Sequence, residues 1–297
     1  MKDFSFWQVY EGTSEGSGRS EKIWLQNPDT EQTGLFKFKK DIGTTDHVSE
    51  CIAYDLACLL DVPCAKFELG IYNNREGSIS YNIIKENDEI LIEGINFISL
   101  FYPTYDSEKF VDSNTGDRYS IEMIIKSIER IVPLDGFFKM MLFDYLIGNS
   151  DRHQSNWAII LKKDTMIWSP LYDNSSSLCA YVNESQIRSF LGKDMVKWLS
   201  LVDTKSKSLI RCTVSDQVRP THLTVLKYIR DNYYKETFEF VEKIISQMTE
   251  EKISIILEKY LENELSEERK ALIMKYLLWK VKKMKEVYFG KEELDVY

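Results

Sequence analysis

Cysteine is scarce in this chain and carries no pattern: five residues, Cys51, Cys58, Cys64, Cys179 and Cys212, among 297. The odd number and the lack of any C-x-x-C pair argue against a disulfide framework or a zinc knuckle and favour reduced, mostly buried thiols. Long apolar runs are missing too. No stretch reaches the length of a membrane span, and the amino terminus, MKDFSFWQVYEG, has no apolar signal-peptide core. A cytoplasmic protein is the expectation, with a secreted effector role left open. Positive charge is in deficit: the net charge of −9 and pI near 5.1 speak against a broad nucleic-acid-binding face, for which clustered Lys and Arg are needed. The same balance is unhelpful for docking on anionic membranes. A local basic groove remains compatible with an acidic whole. No internal repeat, low-complexity tract or G-x-x-x-x-G-K-[ST] loop occurs, so a Walker-type phosphate site is unsupported.

What is present is apolar bulk, 43% of residues with 13% aromatic, ample for a large domain or two lobes. The first third reads as strands broken by turns: KIWLQN and TGLFKFKK around the Asn27-Pro28-Asp29 turn, then DVPCAKFELGIYNN and SISYNII. Between them, VSECIAYDLACLL spaces Cys51, Ile52, Leu56 and Leu59 for a helix over Val48–Leu60. Beyond KENDE the pattern turns helical, through SIEMIIKSIERI and PLDGFFKMMLFDYLIG to a long carboxy-terminal third. Thr249 and Ser266 stand there as candidate N-caps. The predicted layout is α+β: a smaller mixed lobe over residues 1–86 and a larger, mainly helical lobe over 87–297, with a cleft between them as the ligand site.

The densest chemistry lies in GNSDRHQSN, Gly148–Asn156, between two apolar segments. Asp151 and Asn156 stand five positions apart, the spacing of base and metal ligand in a protein-kinase catalytic loop. A carboxylate there orients the attacking hydroxyl, while a neutral amide oxygen holds Mg²⁺ without adding negative charge. The following residues read as a hairpin, with strands at Trp157–Leu161 and Met166–Trp168 and a turn over Lys162–Thr165. Such a hairpin returns Asp173, in SPLYDNSSSL, to the same end as Asn156, and two oxygen ligands make a reasonable magnesium site. The bland alternative is an Asn/Asp-rich turn capping its own backbone. His153 either orients Asp151 or packs beneath the loop.

The amino-terminal segment offers a matching cradle. Gly12, Gly16 and Gly18 sit in EGTSEGSGRSEK between two strand-like runs, where backbone amides can approach phosphates; a flexible hairpin tip reads the same way. In LFKFK, alternation puts Phe36 and Phe38 on one face and Lys37 and Lys39 on the other. A strand lysine followed by a helix carrying Glu50 reproduces the kinase pairing of a phosphate-contacting lysine with its positioning glutamate.

In order, the glycine-rich segment, Lys37, Glu50, FDYLIGNSDRHQSN and SPLYDNSSSL resemble the HipA-like serine/threonine kinases, including the compact CtkA-type members. The D-R-H-x-x-N core is also similar to the catalytic loop of phosphatidylinositol kinases. The likeness spans roughly Gly12 to Leu178. It implies a bilobed kinase-like fold binding ATP and Mg²⁺. In that pattern Asp151 is the catalytic aspartate, Asn156 and Asp173 are metal ligands, and Lys37 is the ATP-phosphate lysine. Gly16, Ser17, Gly18, Arg19 and Lys22 then form the phosphate loop, and Tyr81, Asn82 and Ile83 a hinge for adenine, with His153 beside the nucleotide. Ser14, Ser17 and Ser20 become candidate autophosphorylation sites. The resemblance also implies a protein substrate bearing Ser or Thr and a small antitoxin-like partner, since the extra amino-terminal domain of longer HipA toxins is expected to be absent. One departure stands out: Ser175 occupies a position where many relatives carry glycine. It motivates the alternative of a nucleotide-binding pseudokinase; a lipid or small-molecule kinase is the third reading.

Overall fold

The structure, a computed structural model, describes residues 1–11, 21–40, 43–86 and 88–290. Before residue 82 the chain builds a six-stranded sheet from β1 (Lys2–Asp3), β2 (Gln8–Val9), β3 (Lys22–Gln26), β4 (Thr33–Phe38), β5 (Phe67–Tyr72) and β6 (Arg75–Tyr81), in the order β1-β5-β6-β4-β3-β2. All neighbours are antiparallel except β1 with β5. The strands follow from β-branched and aromatic residues at alternate positions. Phe36 and Ile79 turn to one face, where Phe4, Trp7, Leu25 and Tyr81 join them in a small aromatic core. Lys37, Leu35 and Ser80 turn to the other.

Helix α1 (Asp46–Leu59) crosses that second face and begins two residues earlier than its apolar spacing indicates. Its buried side, with Val48, Ile52 and Leu56, belongs to the large core of the helical lobe, so one continuous core runs beneath the sheet into the helices. The lobes are also sewn together by backbone: Ala65 N donates to Leu171 O and Leu171 N to Pro63 O, each at 2.8 Å.

After residue 88 comes a strand that local pattern missed, β7 (Glu89–Glu93). Its run of Ile90, Leu91 and Ile92 becomes a strand because it pairs antiparallel with a partner far along the chain, β10 (Ala158–Lys162). Helix α2 (Gly94–Phe101), a short ribbon of β8 (Tyr105–Asp106) and β9 (Val111–Asp112), α3 (Ile121–Ile128) and α4 (Asp135–Ile147) separate the two. Strand β11 (Thr165–Trp168) completes the sheet as β11-β10-β7, and the hairpin turn is tighter than read from sequence, closing over residues 163–164 with Lys163 at φ 52°. The helical third comprises α5 (Glu184–Leu191), α6 (Met195–Leu199) with a π-turn after it, α7 (His222–Asn232), α8 (Tyr234–Gln247), α9 (Glu250–Leu257) and α10 (Glu267–Phe289). Thr249 and Ser266 accept hydrogen bonds from the Lys252 and Arg269 amides, capping α9 and α10. All five cysteines are free thiols; Cys51 and Cys212 are buried, Cys64 and Cys179 half-buried and Cys58 exposed.

Candidate functional site

Helix α4 is buried on nearly every side and stops at Gly148, whose φ of 69° only glycine adopts without strain. A side chain there would also collide with the Tyr276 hydroxyl. The stop delivers the polar loop at a fixed angle. Asn149, 1% exposed, then ties the loop down: its Nδ2 donates to Asp144 Oδ1 at 3.1 Å, and its Oδ1 accepts from the Asp151 amide at 3.1 Å.

Arg152 is the staple of this region. Its guanidinium is wholly buried and donates five hydrogen bonds: two to the Asp144 carboxylate at 2.9 and 2.7 Å, and one each to Asn156 O, Tyr172 O and Asn174 Oδ1 at 2.8, 2.7 and 2.6 Å. One side chain therefore sets the distance between the loop carrying Asn156 and the loop carrying Asp173. His153 turns inward to its own loop, its Nδ1 accepting from the Ser155 amide at 3.2 Å. The Asp151 carboxylate takes no hydrogen bond from the described residues and faces the cleft. Protein packed around its inner side raises its pKa, with Asp173 adding to the rise while His153 and Arg219 oppose it.

Across the cleft, Lys37 Nζ donates to Glu50 Oε1 at 3.0 Å and lies 3.2 Å from Asp173 Oδ1. Strand, helix and loop thus meet at one ammonium. Burial opposes the Lys37 charge, yet Asp173 and Glu50 hold it above its ordinary pKa. Burial likewise would lift Asp173, but Lys37 and the Ser175 hydroxyl outweigh it and keep the carboxylate well below the usual range. For Glu50 burial wins, raising it despite Lys37. Asp173 holds φ at 53°, a left-handed conformation costing about 1 kcal/mol for a residue with a side chain. Ser175 lies outside that region and donates to Asp173 Oδ1 at 3.2 Å, so its side chain is accommodated and supports the aspartate.

Two cavities join at Lys37 and Asp173. One, about 450 Å³ and largely apolar, runs under β3 and β4 past Trp24, Leu35, Phe67 and Leu91 to the strand end at Tyr81–Ile84, and includes Lys22, Asn156 and Tyr172. The other, about 700 Å³ and polar, holds Glu50, Asp151 and His153 with Lys40, His47 and Ser78. The Glu50 Oε2, His47 Nδ1 and Ser78 Oγ atoms in this second cavity are buried without hydrogen-bond partners among the described residues, as is Trp24 Nε1 in the first. At the strand end, the Tyr81 amide donates to Lys66 O, the Asn82 amide to Thr33 O and the Ile84 amide to Asn82 Oδ1. The Ile83 amide is left without an acceptor among the described residues. Tyr81 itself sends its ring to the opposite face, against Trp7 at a centroid distance of 6.1 Å, with its hydroxyl on Glu68. Lys39 leaves the cleft altogether and pairs with Glu76 at 2.9 Å. Gly16, Ser17, Gly18 and Arg19, with Ser14 and Ser20, lie outside the described residues.

Three supports escaped sequence reasoning because they come from distant segments. His222 Nε2 lies 2.8 Å from Asn149 O; a carbonyl only accepts, so Nε2 carries the proton and Nδ1 accepts from Ser206 Oγ at 3.0 Å. Lys280 Nζ donates to Ser206 Oγ at 3.0 Å. Burial and the neighbouring Lys280 push His222 down to about 3, and burial brings Lys280 to about 7. Lys280, inside α10, is thus a core residue. Arg219 Nη2 donates to Ser150 O at 2.7 Å, holding the loop from a third side.

The chain is similar to several known proteins. A family model described as HipA-like C-terminal domain matches residues 14–251. The fold resembles the proinflammatory kinase CtkA of Helicobacter pylori, with a TM-score of 0.81 and 17% identity over 98% of this chain and 99% of that one. It also resembles HipA of Shewanella oneidensis MR-1, solved as a toxin–antitoxin complex with HipB and operator DNA, with a TM-score of 0.56 and 12% identity over 97% of this chain and 69% of that one. No curated protein sequence matches. At these identities the likeness to solved structures establishes a kinase-like bilobed fold; the family match, covering most of the chain, establishes kinship. The chain belongs to the HipA-like C-terminal domain family.

Proposed function

We propose that the protein is a serine/threonine protein kinase that uses ATP and Mg²⁺. The observation that carries this reading is Lys37, held by Glu50 at 3.0 Å and Asp173 at 3.2 Å where an apolar cavity meets a polar one ending at Asp151. In this reading the apolar cavity receives adenine, with the Ile83 amide as its hinge donor, and Lys37 contacts the phosphates at the junction. The family resemblance adds the phosphate loop, Gly16 to Lys22.

The residues present fit a magnesium ion. Asn156 commits Nδ2 to the Asp151 carbonyl at 2.8 Å, which leaves Oδ1 as the side chain's available acceptor. Asp173 engages Oδ1 with Lys37 and Ser175, leaving Oδ2. Two oxygens, one neutral and one anionic, suit a hard ion that fills its shell with phosphate oxygens and water. When bound, the ion would neutralise charge on the phosphates. Asp151, its pKa raised by the protein packed around it, orients the acceptor hydroxyl and takes its proton. Lys37 stabilises charge on the phosphates, and Arg152 and Asn149 keep Asp151 and Asn156 in place, so catalysis rests on positioning and electrostatics.

The test is label transfer from γ-labelled ATP to protein Ser or Thr. Wild type transfers label only with Mg²⁺ present; Asp151→Asn abolishes transfer and still binds ATP by calorimetry. An Asp151→Asn variant as fast as wild type overturns the assignment.

A further inference from the structure

A third cavity, of about 690 Å³, also reaches Asp151 and does not include Lys37 in its lining. It shares Asp151 and Ser176 with the polar cavity, and Lys205, Lys207, Arg211 and Arg219 line it together with Ser150, Gln217 and Val218. Four cations thus line a cavity that also exposes the Asp151 carboxylate, on a protein of net charge −9.

Arg211 is the anomaly. It is 8% exposed, and its Nε and Nη1 are buried with no hydrogen-bond partner among the described residues. A buried guanidinium left unsatisfied is costly, so native structures rarely keep one without a use. Its backbone is pinned: the Arg211 amide donates to Tyr119 O at 3.1 Å, and its carbonyl accepts from the Ile121 amide at 2.8 Å. The nearby acid, Asp216, takes the Cys212 and Thr213 amides on Oδ2 at 3.1 and 3.0 Å and makes no hydrogen bond to Arg211 among the described residues. Arg118 and Arg219 crowd the same region, and Arg118 holds Gln217 by two hydrogen bonds at 3.2 and 3.0 Å. Arg219 commits Nε and Nη2 to backbone carbonyls, including Ser150 O, so it is rigid and joined to the loop bearing Asp151. Basic side chains, one of them tied to the loop that bears Asp151, thus face a cavity that reaches the Asp151 carboxylate.

We propose that this groove docks the protein substrate and selects a peptide with an anionic group, a carboxylate or a phosphate, beside the hydroxyl to be modified. The proposal rests on the kinase reading of the Asp151 cavity. Arg211 and Lys207 grip the anionic group, since a planar guanidinium matches either oxygen pair. The groove's position places the neighbouring hydroxyl at Asp151.

The experiment uses the full chain without ATP and fluorescent peptides of one frame. The residue beside a central Ser is Ala, Glu or phosphoserine, and binding is read by anisotropy. The anionic peptides bind at least about tenfold tighter than the Ala peptide, and the preference falls about tenfold in Arg211→Gln and in the double variant Lys205→Gln/Lys207→Gln. The Glu and phosphoserine arms separate carboxylate from phosphate. Should Arg211→Gln fail to fold by circular dichroism, the double lysine variant, at more exposed positions, carries the test. Equal binding of all three peptides, or an undiminished preference in the double variant, overturns the proposal; so does a single-stranded DNA oligomer that displaces the peptide at lower concentration than the peptide itself. A chain that binds the anionic peptides through these residues yet transfers no phosphate supports the docking site and overturns the kinase reading instead.

Discussion

Arg152→Met is the most informative single change for the scaffold. The guanidinium and the Asp144 carboxylate are both buried, at 1% and 6% side-chain exposure. Removing one partner leaves an uncompensated buried charge, which costs about 3–5 kcal/mol. The Asn156 and Tyr172 carbonyls and Asn174 Oδ1 lose donors in the same step. For a chain of this size the loss lowers Tm by roughly 10 °C. Arg152→Lys keeps the charge but has three donors for five acceptor contacts, so it loses about 2 kcal/mol. Adding Asp144→Leu to Arg152→Met removes the stranded carboxylate and restores about 2 kcal/mol, a coupling that a double-mutant cycle reads directly. Thermal and urea unfolding, followed by circular dichroism, give these values, and phosphotransfer rates measured beside them separate folding from positioning. Arg152→Lys should transfer phosphate about 10–100-fold more slowly although folded, because Asn156 and Asp173 are no longer held at a fixed separation. An Arg152→Met protein within about 0.5 kcal/mol of wild type, where ordinary surface changes fall, refutes the staple.

Lys37→Met removes the cation shared by Glu50 and Asp173, so phosphotransfer falls at least about 100-fold and calorimetry shows weaker ATP binding; an active variant removes Lys37 from the mechanism. His222→Gln tests the loop's buried support through pH. The folded-state pKa of His222 is lowered to about 3, so below the ordinary 6.5 only the unfolded chain takes the proton. Its contribution is therefore complete above pH 6.5 and lost as pH falls toward 3, at about 1.4 kcal/mol per unit. Between pH 6.5 and 5, urea unfolding of the wild type should lose about 2 kcal/mol more stability than the variant does; parallel curves contradict the neutral buried His222. Gly148→Ala meets both the left-handed backbone and the Tyr276 hydroxyl, so it destabilises by about 2 kcal/mol or more in the same assay. A neutral outcome would mean that the helix stop needs no glycine.

The site was legible where chemistry is packed into short spacings. Asp151, Asn156, Asp173, Lys37 and Glu50 could be named because each lies in a segment whose period or turn pattern sets its neighbours. The bilobed α+β layout was legible for the same reason, from strands with period two and helices with caps. Strand β7 was not, since Glu89–Glu93 is a strand only through pairing with residues 158–162. The partners of Arg152 at residues 144, 172 and 174 were not legible, nor were His222 and Arg219, which reach the loop by tertiary packing alone, or Lys280, which meets Ser206 behind His222. Arg211 carries no local signal at all. That its Nε and Nη1 are buried without a hydrogen-bond partner among the described residues is visible only in the folded chain.

The account stands or falls on whether Asp151 directs phosphate onto protein. After incubation of the full chain with Mg²⁺ and ATP, intact-mass spectrometry with phosphosite mapping should find phosphate on Ser or Thr in the wild type and none in Asp151→Asn, with ATP bound by both. ATP binding without any gain of phosphate by the wild type or an added protein substrate, or phosphate that appears only in added lipid, contradicts it.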